Sequence, residues 1–256
     1  MKIGLIGCGN MARAMARGWG EPVLCFDPVA ERAQALAHET GGEALGSAIE
    51  VAQRADLLVL CHKPAQLKPV AQELAPVAKA VASILAATPL PVLREAYQGI
   101  PVFRFLPSLP AEVRSGAIVM AVDSQTIVAL EQGDELHGEV QALFERLGAL
   151  VALDDSLVDV AMGLMSCAPA YVALVAEAQV DAGVRRGIPP ALASELVTET
   201  LAGTAELLRR RGFDTLAVRR EVTSPGGITA RGLAALEAGG IRAAFSDALD
   251  AVLGEG

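Results

Sequence analysis

The chain has few aromatic residues and a deficit of positive charge. Aromatic side chains are 4% of its 256 residues, with one Trp and two Tyr, so small and aliphatic side chains must fill the core. Alanine is the commonest residue, and its helix propensity points to closely packed helices. A formal charge of −9 argues against a nucleic-acid partner, because binding phosphates requires a surplus of Lys and Arg on some face. Residues 1–152 hold 12 basic and 16 acidic side chains and residues 153–256 hold 9 and 14, so neither half is a basic module. Cysteine and histidine are sparse. Cys8, Cys25, Cys61 and Cys167 have no Cys-x-x-Cys spacing, and with His38, His62 and His137 they form neither a zinc pattern nor a disulfide framework; no metal is expected. Reduced thiols suit a cytoplasmic protein. The apolar start is too short for a signal peptide. The longest uncharged run, Val160–Ala176, has 17 residues, falls short of the usual membrane span and contains Pro169. It reads as a helix apolar on all sides, buried inside protein, and hard for a monomer to cover completely.

What is present is 52% hydrophobic residues, enough for one large or two ordinary domains. Up to about residue 152, short apolar runs alternate with helix-period segments. Ile3–Ile6, Val23–Phe26, Leu57–Cys61, Ala80–Leu85, Val102–Leu106, Ala117–Val122 and Leu150–Leu153 read as strands; Met11–Gly18, Val29–Glu39, Ala65–Leu74 and Ile127–Leu147 read as helices. This alternation predicts an α/β, Rossmann-type, doubly wound dinucleotide-binding domain over 1–152. At Asp154-Asp155-Ser156 the pattern changes to helices near 156–186, 190–211, 214–222, 226–238 and 240–252, an all-α domain over 153–256. The Arg209-Arg210-Arg211 run reads as a solvated helix end.

Gly7-Cys8-Gly9-Asn10-Met11-Ala12 follows a predicted strand and opens a predicted helix. This is Gly-x-Gly-x-x-Ala, in which the first glycine makes the turn, the second admits a pyrophosphate and the small third residue lets helix and strand approach. Asp27 ends the next strand, where a carboxylate accepts bonds from ribose hydroxyls and repels a 2′-phosphate; it favours NADH within an NAD(P)H requirement. Arg32, on the following helix, is placed to meet a phosphate if one is present.

Three further segments resemble the pyrroline-5-carboxylate reductase family: Cys61-His62-Lys63-Pro64 at a strand end, Pro169-Ala170-Tyr171 in the first C-terminal helix, and Val222-Thr223-Ser224-Pro225-Gly226-Gly227-Ile228-Thr229, similar to the family's Thr-Ser-Pro-Gly-Gly-x-Thr signature. The resemblance implies reduction of the C=N bond of a cyclic imino acid, most simply 1-pyrroline-5-carboxylate to L-proline. It implies cofactor contacts from Ile6, Gly7, Cys8, Gly9, Asn10, Met11, Asp27, Cys61, His62, Lys63, Pro64, Leu85, Ala86 and Ser108. It places the substrate carboxylate on the backbone near Gly227, Ile228 and Thr229, with Ser224 and Gly226 also in the substrate site, gives the Thr229 hydroxyl the ring nitrogen and the catalytic role, and sets Asp155 and Glu221 near the substrate. It also implies a homodimer, or a larger homo-oligomer of dimers, whose interlocked helical domains complete the active site. On the residues alone, Pro225 suits the first turn of a helix, Asp155 a helix cap, and His62 a backbone bond at a strand end.

Several positions depart from the family pattern: Leu106-Pro107-Ser108-Leu109-Pro110 replaces Met-Pro-Asn-Thr-Pro, Ser166-Cys167-Ala168 replaces a glycine-rich stretch, Ala86-Ala87-Thr88-Pro89 replaces an Ala-Ala-Gly turn, and Ile228 occupies a usually small or polar site. They leave open a different cyclic imine, or a nucleotide-binding regulatory protein without the reaction. A hydroxyacid dehydrogenase would need a lysine in the helical domain, and the only lysines are Lys2, Lys63, Lys68 and Lys79.

Overall fold

In the computed structural model, which describes residues 1–254, the chain forms two compact units, Met1–Pro169 and a second beginning at Ala170. The last two residues of the expected second domain lie outside the described residues. The eight-stranded sheet ends at Asp154, but the compact unit runs on to Pro169 because the turns after the sheet pack back onto it.

The first unit runs β1 (Ile3–Ile6), α1 (Asn10–Trp19), β2 (Leu24–Phe26), α2 (Ala30–Thr40), β3 (Glu43–Ala44), α3 (Ala48–Arg54), β4 (Leu57–Leu60), α4 (Leu67–Leu74), β5 (Val81–Ser83), α5 (Leu90–Ala96), β6 (Val102–Pro107), β7 (Gly116–Val122), α6 (Ser124–Glu131), α7 (Glu135–Glu145), β8 (Gly148–Asp154) and α8 (Val158–Ala161). The strand order is β3-β2-β1-β4-β5-β6-β7-β8, parallel throughout except for the antiparallel β6–β7 pair. β1 and β4 are buried along their whole length, as strands covered on both faces must be. Alternate residues divide between two cores: Leu5, Val59 and Phe105 pack with Met15, Trp19 and Phe144, while Leu58 and Leu60 pack with Val51, Leu74 and Leu93. The single Trp anchors α1 by donating from Nε1 to the Leu143 carbonyl at 3.0 Å and meeting Phe144 edge-on.

Three elements were not expected. β3 has two residues, too few to show a period. α3 and α5 have seven residues each. A signal for α3 does exist, since Ser47 caps it by accepting the Glu50 N–H at 3.2 Å, the Ser-x-x-Glu spacing of a helix start. The helix expected over Ile127–Leu147 is two helices, because Asp134 caps a new one by accepting the His137 N–H at 2.9 Å.

The second unit is all α: α9 (Ala168–Val184), whose first two residues close the first unit, α10 (Pro190–Arg210), α11 (Thr215–Glu221), α12 (Ile228–Ala238) and α13 (Ile241–Leu253). The expected continuous helix over Val160–Ala176 is interrupted by a π-turn at Met162–Ser166. Nor is that stretch buried within one chain, where Leu164 and Leu174 are 68% and 64% exposed. Among the described residues of the second unit only Ala193 and Val218 are buried, so its apolar helix faces await a cover from outside the unit.

Candidate active site

The strand order reverses between β1 and β4, and a cleft of about 720 Å³ opens at their carboxyl ends, where doubly wound sheets bind ligands. The glycine loop forms its floor. Gly7 has φ +99°, and a Cβ there would stand 2.9 Å from the Cys61 carbonyl group, so only glycine lets the β1 turn pass this close to the end of β4. Gly9 lines the same cleft with nothing within 4 Å of where its Cβ would be. It is also the N-cap of α1 and supplies no side-chain cap, which leaves the first N–H groups of that helix without an intrahelical acceptor. An open approach and a bare helix N-terminus fit a pyrophosphate. Ala12, buried, lets α1 lie close to the sheet.

Asp27 is held against this loop. Its Oδ2 accepts the Cys8 N–H at 2.8 Å and its Oδ1 accepts the Val29 N–H at 2.9 Å. The carboxylate thus braces the glycine turn and lines the cleft, with one lone pair on each oxygen left for a further donor. Burial pushes the Cys61 thiol above its ordinary range, and a hydrogen bond with Cys25 together with burial does the same for Cys8, so both sulfurs stay neutral.

The opposite wall is Cys61, His62, Lys63 and Pro64, with Leu85 and Ala86 after β5. His62 Nδ1 lies 2.9 Å from the Lys63 carbonyl and therefore donates to it, while Nε2 is buried without a partner. Burial holds this imidazole below the usual histidine range, so it is neutral near pH 7. Asn10 and Met11 also line the cleft. Sequence reasoning missed Arg13, Leu106, Pro107, Met162 and Ser166, which reach it from α1, the end of β6 and the π-turn.

Four expected site residues sit elsewhere or are already engaged. Ile6 is buried beneath the loop in the core and does not line the cleft. Ser108 is also buried outside it: its Oγ accepts the Ala117 N–H at 2.9 Å and its own N–H donates to the Ala117 carbonyl, locking the β6–β7 junction. Asp155 is engaged at both oxygens, by Arg104 Nη1 at 2.7 Å and by the Leu90 N–H at 2.8 Å; the helix it caps is α5, whereas Asp154 caps its own turn. Glu221 forms a two-point ion pair with Arg211 at 2.8 and 3.2 Å, and that guanidinium lowers its carboxyl pKa.

In the second unit, Ser224-Pro225-Gly226-Gly227 closes a turn through the Gly227 N–H to the Ser224 carbonyl at 3.0 Å. Pro225 takes the position its fixed φ suits and Gly226, at φ +68°, the one that needs a left-handed backbone, as in a type II turn. Pro225 therefore lies before the helix rather than in its first turn. A Cβ on Gly227 would stand 2.4 Å from Ser224 Oγ and 3.1 Å from the Ser224 carbonyl oxygen, so a side chain there would have to turn the Ser224 hydroxyl away. Gly227 becomes the N-cap of α12 with no side chain to cap it, and the leading N–H groups at Ile228 and Thr229 are presented bare. Ile228 is 78% exposed. No cluster of three or more potential metal ligands occurs among the described residues.

Residues 155–255 match the family model described as pyrroline-5-carboxylate reductase dimerisation, and residues 2–87 match that described as NADP oxidoreductase, coenzyme F420-dependent. The pyrroline-5-carboxylate reductase of Thermus thermophilus is 35% identical over 266 residues, covering 100% of this chain and 97% of that protein. That of Pseudomonas aeruginosa is 34% identical, covering 98% and 93%. Among solved structures, the 1-pyrroline-5-carboxylate reductase of Streptococcus pyogenes superposes with a TM-score of 0.87 at 28% identity, covering 100% of this chain and 97% of that one. The pyrroline carboxylate reductase of Plasmodium falciparum with NADP bound gives 0.84 at 26%, covering 98% and 95%. With the glycine-loop cleft in one unit, the uncapped Gly-Gly helix start in the other, and end-to-end identity with these enzymes, the chain belongs to the pyrroline-5-carboxylate reductase family.

Proposed function

We propose that this protein is an NAD(P)H-dependent reductase that converts 1-pyrroline-5-carboxylate to L-proline. The observation that carries the reading is the bare N-terminus of α12 behind its Gly-Gly turn, in a chain aligned along its whole length with reductases of that substrate. The nicotinamide cofactor, when bound, supplies the hydride. The glycine loop and the first N–H groups of α1 would hold its pyrophosphate, and Asp27 its ribose. The N–H groups of Ile228 and Thr229 hold the substrate carboxylate, where the helix dipole favours a negative charge. Thr229 Oγ bonds the ring nitrogen, orienting the C=N bond and stabilising the amine formed as carbon gains hydride and nitrogen keeps or gains a proton. Because an iminium carbon is already electrophilic, orientation and electrostatics are sufficient work for the protein.

NADH is the preferred donor on this reading, supported by the repulsion a carboxylate at Asp27 exerts on a 2′-phosphate. The protein acts as a homodimer or an assembly of dimers; the uncovered apolar faces of the second unit and the dimerisation match at 155–255 support this. The helical run Asp155–Val184 is by length and composition alone also apolar enough to cross a membrane, but a partner subunit covers such a face equally well. Unpaired thiols at all four cysteines suit the cytoplasm.

The test is turnover of a panel of cyclic imino acids with NADH and NADPH side by side. Highest kcat/KM with 1-pyrroline-5-carboxylate is expected. A clear preference for a six-membered ring would favour the second reading, which the exposed Ile228 beside the helix start motivates. Cofactor binding without turnover of any imine would reject the enzyme.

A further inference from the structure

The Asp27 end of the cleft has two guanidiniums, and among the described residues only one of them lacks a carboxylate partner. Arg13 on α1 and Arg32 in the first turn of α2 line it beside Asp27, Pro28 and Val29. Arg32 forms no ion pair among the described residues, whereas Arg13 is paired with Glu39 from the last turn of α2. The second oxygen of Glu39 holds Arg17, with Nη2 at 2.9 Å and Nε at 3.0 Å. The two arginines are not equivalent. Arg17 has another carboxylate, Glu112, at 2.7 Å, but Arg13 has no other among the described residues, and its Nε is buried without an acceptor. Neutralising Glu39 would therefore leave Arg17 compensated and Arg13 bare at the rim of the cleft. A 2′-phosphate on the adenosine ribose is the ligand group that a guanidinium fork recognises best.

We propose that Glu39 is a specificity-determining residue for the cofactor: by holding Arg13 it denies a 2′-phosphate its second guanidinium and leaves Arg32, among the described residues, as the one free guanidinium beside Asp27. This rests on the dinucleotide reading of the cleft, but not on which cofactor the wild type prefers, because it concerns the change made by Glu39.

Calorimetric titration of the full-length protein with adenosine 2′,5′-bisphosphate and with 5′-AMP separates the 2′-phosphate from the rest of the cofactor. Glu39→Gln should tighten the bisphosphate about tenfold with a much smaller change for 5′-AMP. The gain should vanish when Arg13→Met is added, and shrink in about 1 M salt, where the Debye length is about 3 Å. A parallel rise in the NADPH-to-NADH ratio of kcat/KM should accompany it. Arg32→Met, made in the wild type as an independent check, should weaken the bisphosphate alone. Equal effects of Glu39→Gln on both nucleotides, or none, would reduce the pair to a brace between α1 and α2 and overturn the proposal; so would an Arg32→Met protein that binds both as before. If neither nucleotide binds wild type or variants, the cofactor reading of the cleft falls, and this proposal with it.

Discussion

Arg104 Nη1 donates to Asp155 Oδ1 at 2.7 Å while Asp155 Oδ2 accepts the Leu90 N–H at 2.8 Å, so one carboxylate joins the middle of β6, the start of α5 and the turn after β8. The Arg104 side chain is almost wholly buried and its other nitrogen holds Asp159 at 2.6 Å. Asp155→Ala would leave a buried guanidinium with one half-exposed carboxylate, Asp159, and the residue-155 carbonyl at 3.3 Å. It should lower unfolding stability by about 3–5 kcal/mol, read from denaturant midpoints, with KM for the imine little changed. A raised imine KM at unaltered stability would instead give Asp155 a role in the substrate pocket.

The two loop glycines separate folding from binding. Gly7→Ala forces a Cβ onto the Cys61 backbone at a left-handed φ and should destabilise the fold by about 1–3 kcal/mol. Gly9→Ala meets nothing in the protein, so thermal stability should hold while NADH affinity falls about tenfold, as measured by calorimetry. Loss of stability in Gly9→Ala, with affinity retained, would contradict the site.

Removing the Thr229 hydroxyl should act on the reaction and not on the cofactor. Thr229→Ala is expected to lower kcat by roughly ten- to a hundredfold while NADH dissociation hardly moves, and Thr229→Ser should recover most of the rate. An unaltered kcat removes Thr229 from the mechanism.

His62 gives the protein a pH-sensitive term of known sign. Burial depresses the folded-state pKa below the ordinary 6.5, so the unfolded chain takes up the proton first. The stability that His62 contributes is complete above pH 6.5 and lost as the pH falls through the folded pKa. Unfolding free energy should therefore decline on acidification from pH 6.5 more steeply in the wild type than in His62→Asn. Identical slopes in the two proteins would show that the ring is not held neutral.

Much of the fold was legible in order. β1, the glycine turn and α1 were readable together because a four-residue apolar strand, two glycines and an alanine-rich helix each leave a local signature within a few residues. β3, α3 and α5 were not, since two strand residues or about two helical turns repeat a pattern too few times to stand out, although Ser47 three positions before Glu50 was a usable mark. The continuous helix expected over Val160–Ala176 failed at Met162–Ser166, where the chain has hydrophobicity enough but local backbone bonding changes from α to π.

The sequence by itself determined the chemistry on offer: a glycine loop open to a pyrophosphate, a carboxylate after β2, and a Pro-Gly-Gly turn that starts a helix without a cap. Each depends on residues close in the chain, whose backbone preferences act locally. Only the tertiary structure decided which charged groups were free to meet a ligand. Asp155 is bound by Arg104, 51 positions away, Glu221 by Arg211, and Arg13 by Glu39, while Asp27 reaches back to the Cys8 N–H. A carboxylate takes the nearest donor in space, and folding, not spacing along the chain, brings that donor to it.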